Sequence, residues 1–202
     1  MAKRKTQQIT SSKRSTKPTL KILSSKISYD GPVFKVTTDH IREPNGVTTT
    51  RDLIRHSGSI VILPVDYSGA EPKVLLIQQY RYAAKSLLWE IPAGRIEPGE
   101  DKLESAKREL REETGFSARR WKPLLRFFVS PGFLDEVMNV YLATDLVAGK
   151  AEPEEDEKII ARFFSLSQAL RMCETGKIGD AKTMTSLFWL FIQQNKKQLA
   201  KE

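Results

Sequence analysis

Residues 93 to 116 read AGRIEPGEDKLESAKRELREETGF, and they crowd Glu109, Glu112 and Glu113 together in a chain with 33 lysines and arginines to place. On a helix, at about 100° per residue, the three carboxylates fall within about 100° of one another and share one shoulder. Glu109 and Glu113 are an i,i+4 pair and Glu109 and Glu112 an i,i+3 pair, spacings at which like charges each disfavour a helix by about 0.2 to 0.5 kcal/mol. They also sit near the helix C-terminus, where the dipole favours cations. One reading is a solvated charged face, relieved by Arg108 and Arg111. The other is a divalent-cation site, since a hard ion such as Mg²⁺ takes oxygen ligands, usually a few carboxylates together with waters and substrate phosphates. Carboxylate spacing by itself leaves both open.

The helix that would carry them runs from about Asp101 to Thr114, with Leu103, Ala106 and Leu110 on its apolar face and Gly115 placed as a C-terminal cap. A shorter helix begins near Ser167 and ends at Gly176. A third follows Asp180, whose side chain suits an N-cap, and has Met184, Leu187, Phe188 and Phe191 at core spacing. SIVILPVD and KVLLIQQY are rich in β-branched and aliphatic residues and predict buried strands, with further strands at LLRFFVS, EVMNVYLAT and IIARFFSL. VFKVTTDHI and VTTTRDLIRH flank the turn Pro44-Asn45-Gly46 and predict a β-hairpin. Strands interleaved with a few helices imply a mixed α/β sandwich.

Composition bounds the rest. A chain of 202 residues, 40% hydrophobic, is long enough for a substantial core and reads as one domain of moderate size. Its single cysteine, Cys173, excludes an internal disulfide and reads as an inert thiol. No apolar run approaches the roughly 20 residues needed to span a membrane, and no secretory segment is evident near Met1, so a cytoplasmic protein with no membrane partner is expected. The net charge of +8 is uneven: residues 1 to 29 carry eight lysines and arginines and no acid, which leaves the body neutral. Residues 1–28 are read as a flexible basic tail, with a polyanion-binding arm or a targeting peptide as alternatives. His40 and His56 read as isolated hairpin residues, and Trp89 and Trp121 as packing residues.

Around the carboxylates a longer register is legible. Gly94 is followed after five residues by Glu100, after seven more by Arg108-Glu109-Leu110, after one by Glu112-Glu113, and after one more by Gly115 and the apolar Phe116. On this pattern the chain is identified as a member of the Nudix hydrolases, whose signature it matches at every defining position. The resemblance implies an α/β/α sandwich with a mixed β-sheet over residues 58–202, preceded by a small N-terminal β-hairpin and dimerisation region at 29–57. It also implies hydrolysis of a nucleoside diphosphate linked to a further group, with Mg²⁺ as cofactor and Mn²⁺ as a possible substitute. Water must attack a phosphorus already surrounded by anionic oxygens, so catalysis is mostly positioning and charge neutralisation. By resemblance Glu109 and Glu113 are metal ligands, joined by the Ala93 carbonyl, and Glu112 is a further ligand or a partner to the ligands within the catalytic set. Gly94, Glu100, Arg108 and Gly115 support the loop and helix ends.

The flanks narrow the resemblance. WEIPAGR, QQYR and SPGFLDE resemble the ADP-ribose pyrophosphatase subgroup, in which a proline lies about 16 residues beyond the last glycine of the signature, as Pro131 lies beyond Gly115. Without the family, Ser130-Pro131-Gly132 is a turn between two strands. The subgroup implies that Arg81 contacts the substrate's phosphates, that Pro131 and Gly132 belong to the substrate-binding set, and that Glu157 or Glu155 orients or deprotonates the attacking water from a mobile loop. Read alone, that acidic run is a solvated loop. Some members hold the adenine between aromatic rings near the second hairpin strand; here that stretch reads TTTRDLIRH, which leaves Arg51 to stack on the base. The expected protein is a homodimer that cleaves ADP-ribose or another ADP-sugar, a small-molecule nucleotide-sugar substrate, to AMP and ribose 5-phosphate or the sugar phosphate. The alternatives are another nucleoside diphosphate derivative (a dinucleoside polyphosphate, NADH or a capped RNA) and a non-catalytic ADP-ribose-binding module. Only the basic tail hints at nucleic acid.

Overall fold

The structure, a computed structural model, describes residues 19–151 and 159–199. An N-terminal sheet of three antiparallel strands, β1 (Lys21–Asp30), β2 (Phe34–Arg42) and β3 (Thr48–His56), precedes the body. The body is built on a seven-stranded sheet. Its main path runs β10 (Ile160–Ser165), β5 (Lys73–Arg81), β4 (Ser59–Asp66), β9 (Val137–Ala148), β8 (Phe116–Phe128), with β6 (Ser86–Glu90) beside β5 and β7 (Ala93–Arg95) beside β4. β4 and β9 are parallel and the other pairs antiparallel, so the sheet is mixed.

β4 is buried on both faces, and its alternation shows what covers each. Ile60 and Ile62 pack with Ala106 and Leu110 of α1 (Lys102–Thr114), while Val61, Leu63 and Val65 pack with residues of α2 (Leu166–Glu174) and α3 (Ala181–Leu199). This is the expected α/β/α sandwich. α1 is set by its ends as much as by its face. The Asp101 carboxylate accepts from the N–H groups of Leu103 at 2.8 Å and Glu104 at 3.2 Å. Gly115 closes the other end at φ +73°, where a Cβ would also meet the Ala151 nitrogen at 2.5 Å, so glycine is required there twice over. Among the described residues no helix is long and apolar enough to cross a membrane.

Three expectations change. Residues 21–28, read as part of a flexible tail, form most of β1, so the N-terminal sheet has three strands and starts before residue 29. β1 escaped notice because irregularities in its pairing, between Ile22 and Ser24 and between Ile27 and Tyr29, reset the alternation that marks a strand. In α3, Leu187 is buried and Met184 partly so, but Phe188 and Phe191 are 44% and 43% exposed. The buried stripe is instead Thr183, Ser186, Leu187 and Leu190, two of them hydroxyl residues satisfied by hydrogen bonds to Asp180 and to the Lys182 carbonyl. Finally, β8 starts at Phe116, well before LLRFFVS, as a largely exposed edge strand rich in Arg and Lys.

Candidate active site

α1 and β7 bring the crowded glutamates into one cleft. Glu109, Glu112 and Glu113 line it together with Ala93, Gly94 and Arg108. Arg108 is the hub. Its Nε and Nη2 grip Glu100 at 3.0 and 3.1 Å, while Nη1 reaches Glu112 at 2.9 Å and Glu109 at 2.8 Å. A planar fork suits this multiple grip, where a lysine would offer one point charge. The hydrogen bonds from Arg108 hold the Glu100 carboxyl below its ordinary range, and Glu100 in turn raises Arg108. The repulsion foreseen on this shoulder is thus met by Arg108; Arg111 has no ion pair among the described residues.

Glu113, 6% exposed, accepts the Ala93 N–H at 3.0 Å, which puts the Ala93 peptide against the helix. Gly94 passes directly under Glu109: a Cβ there would lie 1.9 Å from the Glu109 Cδ. As oriented, no three His, Cys, Asp or Glu side chains among the described residues form a ready ion site, because Arg108 engages Glu109 and Glu112 and the Ala93 amide engages Glu113. The chemistry of the donors nonetheless fits a hard divalent cation: three carboxylates and a backbone carbonyl, all oxygen, on one cleft wall.

Arg81 lines the same cleft, from the end of β5. It grips Glu90 side-on, through Nε and Nη2, each at 2.9 Å. Lys182, in the first turn of α3, donates to the same carboxylate and stands 3.1 Å from Asp180. Burial pushes the Glu90 carboxyl up, but Arg81 and Lys182 outweigh it and hold the group low; Arg81 is raised, chiefly by its hydrogen bond to Glu90. Sequence reasoning found Arg81 and missed Glu90 and Lys182. The glutamate of WEIPAGR was visible, but nothing local tied it to a lysine 92 residues away.

The segment after β8 supplies a further carboxylate. Glu136 lines the cleft and accepts from Ser59 Oγ at 2.6 Å. His56, expected to be isolated, also lines the cleft; its Nδ1 accepts the Gly58 N–H at 3.0 Å and lies 3.6 Å from the Glu136 carboxylate. Two backbone bonds between Ile54 and residues 133 and 135, and the contacts of Asp135 with Arg55 and the His56 N–H, tie this segment to the N-terminal sheet.

Other expected site residues are not brought into the cleft. Pro131 and Gly132 are exposed and form the turn closed by the Phe133 and Leu134 N–H groups on the Ser130 carbonyl. Arg51 sits on β3, where it pairs with Glu43 at 2.6 Å outside the cleft lining. Glu155 and Glu157 lie outside the described residues.

Comparison with known proteins agrees with this geometry. A model of the NUDIX domain matches residues 55–187. The chain is 32% identical over 176 residues to an ADP-ribose pyrophosphatase of Bacillus subtilis, covering 86% of this chain and 94% of that protein. A methanol dehydrogenase activator of Bacillus methanolicus is 34% identical with the same coverage. An ADP-ribose pyrophosphatase of Mycobacterium tuberculosis is 35% identical over 162 residues, covering 79% and 77%. The crystal structure of an ADP compounds hydrolase superposes with a TM-score of 0.75 at 26% identity, over 92% of this chain and 98% of that one.

Proposed function

Because this chain belongs to the Nudix family, we propose that its cleft hydrolyses the pyrophosphate bond of ADP-ribose, or of a related ADP-sugar, to AMP and ribose 5-phosphate or the corresponding sugar phosphate. The observation that carries this reading is the convergence, in one cleft, of the Arg108-held glutamates with the cation Arg81. Glu109, Glu112, Glu113 and the Ala93 carbonyl would hold Mg²⁺, or Mn²⁺ in its place, and the bound ion supplies charge neutralisation at the phosphates. The chain's own residues do the positioning. Arg108 fixes the carboxylates, Glu100 fixes Arg108, and Gly94 gives Glu109 its place. Arg81 offers donors to the phosphate oxygens, and Glu157 or Glu155 would take the proton of the attacking water. The pyrophosphatases among the relatives support the choice of substrate.

The protein acts as a homodimer in this reading. β1 is exposed along its whole length and presents Ile22, Leu23, Ile27 and Tyr29, each 44 to 58% exposed, an apolar edge that a second copy would cover.

The test is turnover of ADP-ribose, ADP-glucose, diadenosine polyphosphates, NADH and capped RNA with Mg²⁺, read as nucleotide or phosphate release. ADP-ribose or another ADP-sugar is expected to lead; a clear preference for any of the others would replace the substrate. Glu113→Gln is expected to stop AMP release with the fold intact, and unchanged turnover would sink the ligand assignment. A wild-type chain that binds ADP-ribose without cleaving it would point to a binding module.

A further inference from the structure

Beyond Arg81, the polar cluster at the inner end of the cleft has no assigned role. Glu90 is 1% exposed, and a carboxylate that deep stays ionised only where cations and hydrogen bonds replace its water. Two cations do so. Arg81 occupies one side of the carboxylate through two hydrogen bonds, and Lys182, itself 8% exposed, occupies Oε2. Both line the cleft with the glutamates. Two cations this close would repel one another; a shared buried anion holds them side by side.

We propose that Lys182 is a second substrate-binding cation, which with Arg81 forms a two-pronged seat for the substrate's diphosphate, and that Glu90 is the positioning residue that sets the pair. The inference rests on the hydrolase reading above and adds to it the groups that hold the phosphates. Donor counting supports it. A guanidinium has five N–H donors and an ammonium three. Arg81 gives Glu90 its Nε and one Nη2 hydrogen, and its Nη1 has no partner among the described residues. Lys182 faces two acceptors, Glu90 and Asp180. Each cation therefore keeps at least one donor for a phosphate oxygen.

The fold takes trouble to deliver Lys182. Asp180 accepts the Thr183 N–H at 3.0 Å and the Thr183 hydroxyl at 2.6 Å, while Thr183 Oγ1 accepts the Ile91 N–H at 2.9 Å. The first turn of α3 is thereby pinned one residue beyond Glu90. Arg81, Lys182, Glu90 and Asp180 sum to no net charge, so the seat selects its ligand by directed hydrogen bonds at short range. It does not draw anions in from a distance.

The experiment is calorimetric titration of ADP, with Mg²⁺ present, into the wild type and into Lys182→Gln, Lys182→Arg and Glu90→Gln, with adenosine as the control ligand. Lys182→Gln and Glu90→Gln are each expected to weaken ADP about tenfold, the loss of a hydrogen bond to a charged group, and to leave adenosine unchanged. Lys182→Arg is expected to stay within about threefold, since it restores a charged donor. If a single variant fails to fold because a charge is left buried and unpaired, the double variant Glu90→Gln/Lys182→Gln removes both charges and should still weaken ADP selectively. Wild-type ADP affinity in a folded Lys182 variant overturns the proposal, as does equal loss for ADP and adenosine, which is the mark of a structural role. The substrate reading fails separately. A wild type that ignores ADP-ribose yet binds ADP through Lys182 keeps the seat and changes only the group beyond the diphosphate.

Discussion

Gly94→Ala separates what holds this fold together from what makes its cleft work. Gly94 sits on β7 opposite Ile60 of β4, and the added Cβ would fall 1.9 Å from Glu109 Cδ, 2.0 Å from Oε1 and 2.3 Å from Oε2. Ordinary contact between non-bonded carbons is about 3.5 to 4.0 Å, so the carboxylate must retreat by roughly 1.5 to 2 Å. It is the far end of a flexible side chain, and moving it costs an off-rotamer torsion of about 0.5 to 1.5 kcal/mol. The partly exposed pair with Arg108 at 2.8 Å is also loosened. About 1 to 2 kcal/mol of stability should go, which lowers the melting temperature by about 2 to 8 °C in a domain of this size. The effect on rate is far larger. A misplacement of about 1 Å at a positioned group costs about 100-fold, so AMP release from ADP-ribose should fall at least that much. Thermal melts with and without Mg²⁺ complete the assay: the ion should raise the wild-type melting temperature, because it binds the folded site, and should raise that of Gly94→Ala much less. Turnover of ADP-ribose by Gly94→Ala within about threefold of wild type, or an undiminished Mg²⁺ shift, would show that Glu109 does not depend on the space left by Gly94.

Three further outcomes follow from the same geometry. Arg108→Met removes a cation that touches Glu100, Glu109 and Glu112 together. The metal-free protein should lose about 1 to 3 kcal/mol, and the Mg²⁺-induced rise in melting temperature should grow, since the ion then relieves a repulsion that Arg108 had offset. Stability should depend on pH with a definite sign: Glu100 and Glu90 have folded-state values below their ordinary 4.5, so the stability they contribute is present above that value and lost as pH falls through the folded ones. Melting temperature should therefore hold from pH 7 to about pH 5 and decline below, and Glu100→Gln should shallow the decline; an equal slope in the variant counts against the Arg108 grip. Ile27→Lys, on the exposed β1, should halve the mass in sedimentation equilibrium, and an unchanged mass removes β1 from the dimer contact.

What could be read from the chain, and what could not, divides by the range of the interaction. α1 was legible almost to the residue because its apolar spacing and its Gly115 terminus act within a few turns, and the Asp101 cap found at its start is equally local. The same locality made the signature's carboxylates and Arg108 visible. Glu90 and Lys182 were not, for they lie 92 residues apart and meet only because α3 packs across the sheet. The exposed Phe188 and Phe191 show a second cause. Two helical stripes compete in α3, and the more apolar one looked like the core, whereas Thr183 and Ser186 are buried because their hydroxyls are satisfied. Polarity misleads wherever a hydrogen bond replaces water. β1 adds a third, since a bulged strand has no period to find.

That division bears on specificity. The like charges that looked costly on α1 are balanced by a neighbour one turn away, Arg108, so the part of the cleft that would carry the metal is written locally and announces the reaction class. The other polar groups that line the cleft come from β3, β5, the segment after β8 and the start of α3, positioned by contacts such as Ser59 to Glu136 and Ile91 to Thr183 that cross long stretches of chain. A change at one of these contacts would shift a group lining the cleft without touching the glutamates. Relatives that share the signature are therefore free to diverge in substrate. Lys182 is where that freedom should first show in this chain, because Glu90 and Asp180 fix its place while the signature's glutamates do not depend on it.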